Sequence, residues 1–130
     1  MSDLQTIVYV EDDPDIREIA ALALEDVGGL TVKTCSSGEE ALKAIPEMAP
    51  QILLLDVMMP GMDGPELLSE LRERGSIDSS TMVLFMTAKV HPEELERYES
   101  MGVKHVISKP FDPMTLAEKV RSLWNEFNDR

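Results

Sequence analysis

Apolar runs and helix-spaced segments alternate five times along this chain, and most of the apolar runs stop at a polar or charged residue. Thr6 to Val10 is a short β-branched run closed by Glu11, Asp12, Asp13 and Pro14, the pattern of a buried strand meeting a loop. Asp13 has the chemistry of an N-cap, with Pro14 at the first helical position, where its missing N–H costs nothing. Ile16, Ile19, Ala20, Ala23, Leu24 and Val27 then recur at helical spacing until Gly28 and Gly29 end the run.

The same unit repeats. Leu30 to Cys35 reads as a strand, and Ser37 with Glu40 as a capping box before a short helix of Ala41, Leu42 and Ile45 that stops near Pro46. Gln51 to Asp56 is almost continuously apolar before its terminal carboxylate, as a central parallel strand covered on both faces must be. A loop with Pro60, Gly61 and Gly64 leads into a helix carrying Leu67, Leu68 and Leu71. Met82 to Met86 is a fourth strand followed by Thr87, and Pro92 opens a helix with Leu95, Tyr98 and Met101. Lys104 to Ser108 is the fifth strand. After Lys109 and Pro110, a cap at Asp112 with Pro113 starts a last helix whose Leu116, Val120, Leu123, Trp124 and Phe127 form a core-facing stripe.

Five strand–helix pairs in strict alternation predict an α/β fold, a doubly wound five-stranded parallel sheet with helices on both faces, because parallel strands need right-handed crossovers. In such sheets ligands bind at the carboxyl ends of the strands. The chain's 130 residues suit one domain, residues 1–130, and 43% apolar with 28% charged content suits a soluble protein.

Charge and composition narrow the function. Twenty-five acidic against twelve basic residues give −13, a surface that repels nucleic-acid backbones. The start of the chain has no basic and apolar leader, and the stretch Ile52 to Met59 is short and broken by Asp56, so neither secretion nor membrane insertion is expected. Cys35 is the only cysteine, expected as a buried structural thiol.

The chemistry concentrates at the strand ends: Glu11 and Asp12 after the first, Asp56 after the third, Thr87 after the fourth, Lys109 after the fifth. Three carboxylates on one edge would repel one another if ionised and empty, so a hard cation is the natural neutraliser. Magnesium, which takes oxygen ligands and keeps positions for water or phosphate oxygens, fits best. Phosphoryl transfer asks mainly for positioning and charge neutralisation, which a metal, Lys109 and the Thr87 hydroxyl can supply. Asp56 is the best-placed nucleophile, and Lys109 could pair first with Asp56 and then with phosphoryl oxygens.

The segments Val10 to Arg17, Leu54 to Gly64, Met86 to Ala88 and Lys109 to Phe111 together strongly resemble response-regulator receiver domains of the CheY-like superfamily, in order and spacing and nearly end to end. The resemblance implies a flavodoxin-like strand order 2-1-3-4-5 and a cytoplasmic two-component pathway. It implies a signalling phosphoacceptor rather than an enzyme, with self-catalysed phosphoryl transfer onto Asp56 and slow autodephosphorylation. The implied partners are a sensor histidine kinase or histidine phosphotransfer protein and a downstream protein target, with no direct nucleic-acid contact.

By the same resemblance Asp12 and Asp56 would hold Mg²⁺ (or Mn²⁺) directly, with the Met58 main-chain carbonyl as third protein ligand and Glu11 acting through water. Asp13 is assigned to helix capping. Thr87 would follow the phosphoryl group inward, and Lys109 would precede a cis Pro110. One position departs from the pattern: many receivers carry Tyr or Phe two residues before the Lys, and this chain has Ile107. That puts an aromatic-flip switch in doubt, and activation would have to move the loop after Thr87 and the face of the fourth helix, fifth strand and fifth helix in another way.

Two rivals share part of this signature. A haloacid-dehalogenase-type magnesium phosphohydrolase also uses a strand-end aspartyl nucleophile, but wants a second Asp where this chain has Met58. A flavin-binding electron carrier of the same fold wants a Ser/Thr/Gly-rich phosphate loop after Val10, where this chain has acids. Within the receiver reading, a complete single-domain regulator, a phosphorelay intermediate and a receiver from a larger regulator or hybrid kinase all remain open.

Overall fold

The computed structural model describes residues 6–88 and 90–129. Five parallel strands, β1 (Thr6–Val10), β2 (Thr31–Cys35), β3 (Ile52–Asp56), β4 (Met82–Thr87) and β5 (Val106–Ser108), lie in the order β2-β1-β3-β4-β5. Five helices join and follow them: α1 (Pro14–Leu22), α2 (Gly38–Met48), α3 (Gly64–Glu73), α4 (Pro92–Ser100) and α5 (Leu116–Asn128). This is the expected doubly wound α/β sheet.

The two-residue period of the strands sorts their side chains into two cores. Ile7, Tyr9, Ile52, Leu54, Leu84, Met86 and Ile107 pack with Ala20, Leu24, Val120 and Trp124 of the α1 and α5 side. Val8, Val10, Leu53, Leu55, Val83 and Phe85 pack with Ile45, Leu67, Leu71 and Tyr98 of α2, α3 and α4. Because β1, β3 and β4 are covered on both sides, their runs are apolar without alternation, and their carboxyl ends are the places where polar side chains can emerge.

Several local expectations need correction. The first helix does not run as one α-helix to Gly28. It loosens into a π-helical turn over Ala23–Val27, where the Gly28 N–H donates to the Ala23 carbonyl, and Gly29 at φ +70° ends it. Ala20, Ala23 and Leu24 are buried, whereas Ile19 and Val27 are about half exposed. The second helix does not stop at Pro46 but continues to Met48. Proline removes its own N–H bond, yet buried Ile45 and partly buried Met48 keep the turn against the sheet, and Ala49 closes it with a left-handed φ of 47°.

The capping box expected at Ser37 and Glu40 is half formed. Ser37 Oγ accepts from the Glu40 N–H at 3.1 Å, but Glu40 Oε2 accepts from Ser36 rather than Ser37. A complete box sits instead at Asp63 and Glu66, opening α3. β5 is shorter than Lys104 to Ser108, because only Val106, Ile107 and Ser108 find partners on β4. At the last helix, Asp112 accepts from the Met114 N–H but caps a preliminary turn, and α5 proper begins at Leu116. Trp124 is buried in the stripe as expected, stacked on partly buried Phe127 at 5.7 Å.

Candidate functional site

The sheet carries the separate acidic segments to one edge. Glu11 follows β1, and its N–H donates to the Cys35 carbonyl of neighbouring β2, which extends the ladder one residue beyond the strand. Asp13 is the N-cap of α1 as expected, accepting from the N–H groups of Asp15 and Ile16. Arg17, one turn along α1, donates to the Glu11 carbonyl at 2.9 Å and so pins the acidic loop.

Asp56 ends β3 between β1 and β4. Behind it the chain returns so closely that a Cβ on Gly64 would sit 2.7 Å from the Asp56 carbonyl oxygen, a contact that leaves glycine as the residue that fits without displacing backbone. The Gly64 N–H donates to the Val57 carbonyl and the Met58 N–H reaches Asp56 Oδ1 at 3.3 Å, so the loop cradles the carboxylate. The Met58 side chain is 65% exposed and takes no part in that cradle.

Carboxylate oxygens of Glu11, Asp12 and Asp56 all lie within 4.8 Å of one another. The Glu11 and Asp56 side chains are 1% and 4% exposed, and the Lys109 ammonium bridges them, 2.7 Å from Glu11 Oε1 and 3.1 Å from Asp56 Oδ1. Thr87, buried at the end of β4, accepts the Lys109 N–H on its main-chain carbonyl at 2.9 Å, so the two are tied through backbone. The Lys109–Pro110 peptide bond is cis. The five strand-end residues expected to act together are therefore at one edge of the sheet.

Electrostatics follow from the burial. Burial and the adjacent Glu11 carboxylate push Asp56 up to about 7, against the pull of Lys109. Burial also raises Glu11, but hydrogen bonds with Asp56 and Lys109 outweigh it and hold Glu11 below the usual carboxylate range. Lys109 is desolvated, yet its contacts with Glu11 and Asp56 keep it above its ordinary value, hence charged. Three carboxyl groups share one ammonium, so a donor set of this composition, all oxygen and partly open at Asp12, suits a hard divalent cation.

Tyr9 is the group that sequence reasoning passed over. Its ring is fully buried in the β1 face, and its hydroxyl donates to Glu11 Oε1 at 3.0 Å with Met86 Sδ 3.7 Å away. Burial, then the Glu11 carboxylate, raise its pKa strongly, so the phenol stays a donor. The two-residue offset from Glu11 was the available signal, since it places both side chains on the same side of the strand. Cys35 is buried as expected, and burial pushes its thiol up to about 11, which makes it unreactive.

Elsewhere, a cavity of about 690 Å³ opens at the other end of the sheet, lined by Thr81, Met82, Lys104, His105 and Phe127 among others, and shares no residue with the carboxylate cluster. No helix among the described residues is long and apolar enough to cross a membrane.

Comparison with known proteins agrees with this geometry. The sequence pattern of the response regulator receiver domain matches residues 7–121. The DNA-binding response regulator MtrA of Mycolicibacterium smegmatis is 33% identical over 118 residues, covering 91% of this chain and 50% of that protein. An uncharacterised 14.6 kDa protein of Leptolyngbya boryana is 33% identical over 115 residues, covering 88% of this chain and 86% of that one. Among solved structures, the Vibrio cholerae chemotaxis protein CheY4 superposes with a TM-score of 0.83 at 28% identity, over 92% of this chain and 98% of that one. The signal receiver domain of a Syntrophus aciditrophicus histidine kinase superposes with a TM-score of 0.77 at 28% identity, over 94% and 91%. The chain spans about half the length of several curated relatives that it matches, MtrA among them. A site of buried acids bridged by a strand-end lysine, on a sheet of this order and with these relatives, places the chain in the response regulator receiver domain family.

Proposed function

We propose that this chain is a phosphoacceptor in which Asp56 takes a phosphoryl group from a phosphohistidine and thereby switches a protein-binding surface. The observation that carries the reading is the buried Asp56 carboxylate at the end of the central strand, bridged to Glu11 by Lys109. An Asp56 oxygen attacks phosphorus, the P–N bond to the donor imidazole breaks, and the imidazole leaves with the bonding pair and takes up a proton. Lys109 moves its charge from the carboxylates to the oxygens of the transferred group, and the Thr87 hydroxyl follows that group inward.

A Mg²⁺ or Mn²⁺ ion, held by Asp12, Asp56 and the Met58 main-chain carbonyl and by Glu11 through water, would neutralise the phosphoryl oxygens. The donor set described above supports this assignment. The partners are then a sensor histidine kinase or histidine phosphotransfer protein on one side and a target protein on the other, in the cytoplasm. With a charge of −13, the output is protein binding rather than contact with DNA.

A second reading has a specific observation in its favour. Several curated relatives are about twice as long, and one structural neighbour is the receiver of a histidine kinase, so residues 1–130 also suit the receiver of a larger regulator or a relay intermediate. Either way Asp56 does the same chemistry.

Incubation with Mg²⁺ and acetyl phosphate should add one phosphoryl group, seen by intact mass, labile to hydroxylamine and absent from Asp56→Asn. A label that maps to Ser or Thr, or that persists in Asp56→Asn, would sink the assignment.

A further inference from the structure

We propose that Tyr9 is a positioning residue of the carboxylate site, its phenol fixing the Glu11 carboxylate and so setting how tightly the site takes Mg²⁺. The proposal rests on the reading of the site as a Mg²⁺-dependent phosphoacceptor and adds to it a residue one layer deeper in the sheet.

Nothing about the strand requires a hydroxyl at position 9. The neighbours of Tyr9 on its face of the sheet, Ile7, Leu54 and Met86, are apolar. A buried phenol in such surroundings needs an acceptor, and a thioether sulfur 3.7 Å away is a weak one. The acceptor that matches is Glu11 Oε1, at 3.0 Å and itself buried.

Besides Tyr9 and the hydrogen bond with Asp56, Glu11 has one further side-chain donor and one main-chain donor among the described residues. Oε1 also receives the Lys109 ammonium, and Oε2 receives the Asp13 N–H at 3.3 Å. Lys109 is already divided between Glu11 and Asp56, and a phosphoryl group on Asp56 draws it further away. A buried carboxylate that loses a donor pays the desolvation of the orphaned oxygen. The phenol cannot leave in the same way, because its ring is locked in the core. Tyr9 therefore keeps Oε1 satisfied while Lys109 departs, and fixes the orientation of the carboxylate that would bind Mg²⁺ through water.

Tyr9→Phe keeps the ring and its packing and deletes the hydroxyl. Mg²⁺ affinity of the unphosphorylated protein should be measured by calorimetric titration for the unsubstituted protein, Tyr9→Phe, Glu11→Gln and the double variant. Losing one hydrogen bond to a buried charge should weaken Mg²⁺ binding about fivefold in Tyr9→Phe. In the Glu11→Gln background the same change should have an effect below about twofold, because a residue acting through Glu11 couples to it. Undiminished affinity in Tyr9→Phe, or equal weakening in both backgrounds, overturns the positioning role, the second outcome marking a merely structural tyrosine. Unsubstituted protein that takes no Mg²⁺ overturns the metal reading and the positioning with it, a result distinct from the other two.

Discussion

Lys109 sits closer to Glu11 than to the proposed phosphoacceptor: its Nζ is 2.7 Å from Glu11 Oε1 and 3.1 Å from Asp56 Oδ1. The sequence leads to the expectation of pairing with Asp56, and the contact with Glu11 is additional. The bridge makes the lysine the link between two buried carboxylates, so its charge is committed to the site before any phosphoryl group arrives.

Lys109→Ala should keep the fold, since the two apolar cores on either side of the sheet do not depend on it. Phosphorylation by acetyl phosphate should slow by about tenfold or more, as expected when a preorganised charge that stabilises transferring oxygens is removed. Far-ultraviolet circular dichroism and the phosphorylation rate together check this. An unchanged rate would remove Lys109 from the mechanism.

The raised pKa of Asp56 has a consequence for stability in the absence of metal. Burial and Glu11 hold Asp56 protonated up to about 7 in the folded state. An unfolded chain releases the same proton near pH 4, so between about pH 4 and 7 the folded state binds more protons and this contribution to stability falls as pH rises. The melting temperature of the unsubstituted protein, minus that of Asp56→Asn, should decline from about pH 5 to 8. A flat difference would show that Asp56 titrates normally.

Gly64 sets the depth of Asp56. A methyl group 2.7 Å from a main-chain carbonyl oxygen has no side chain to push aside, so Gly64→Ala should cost about 1–3 kcal/mol and also slow phosphorylation. Gly61→Ala is the control. Its φ of +82° strains any side chain, but nothing lies within 4 Å, so it should cost about 1 kcal/mol and leave the rate near normal. Chemical denaturation with rate measurement on both variants separates the effects. Equal effects on rate would refute the close-approach argument.

Ile107 is 2% exposed and stands opposite Met86 in the register of β5 with β4. Lacking a ring or hydroxyl, it has nothing to exchange between core and surface. Beryllofluoride should therefore shift amide resonances in the loop after Thr87 and around Tyr98 and Lys104, while the Ile107 methyl resonances change little. A change at Ile107 as large as that in the loop would restore a switch at this position.

The strand–helix alternation was legible because periods of 2 and 3.6 are properties of adjacent residues. So were the carboxylates at strand ends, and the Asp13 cap, whose partners lie two and three residues away. With the parallel-sheet rules these were enough to gather Glu11, Asp12, Asp56, Thr87 and Lys109 at one edge. The strand order came from family resemblance rather than from periodicity, and the sheet has that order.

Other features depended on groups far apart in the chain or on competition between local preferences. Pro46 reads as a stop, yet the sheet face beneath Ile45 and Met48 carries the helix past it. The same competition places a π-helical turn before Gly28, where burial of Ala23 and Leu24 decides the register. Lys109 belongs to the chain after β5, and its choice between Glu11 and Asp56 is fixed by how its side chain reaches past β4 toward β3 and β1. The role of Tyr9 was hidden for a related reason. A tyrosine in an apolar strand is ordinary core packing until the fold shows which buried acceptor its hydroxyl has met, and here the packed sheet brings that hydroxyl to a carboxylate of the site.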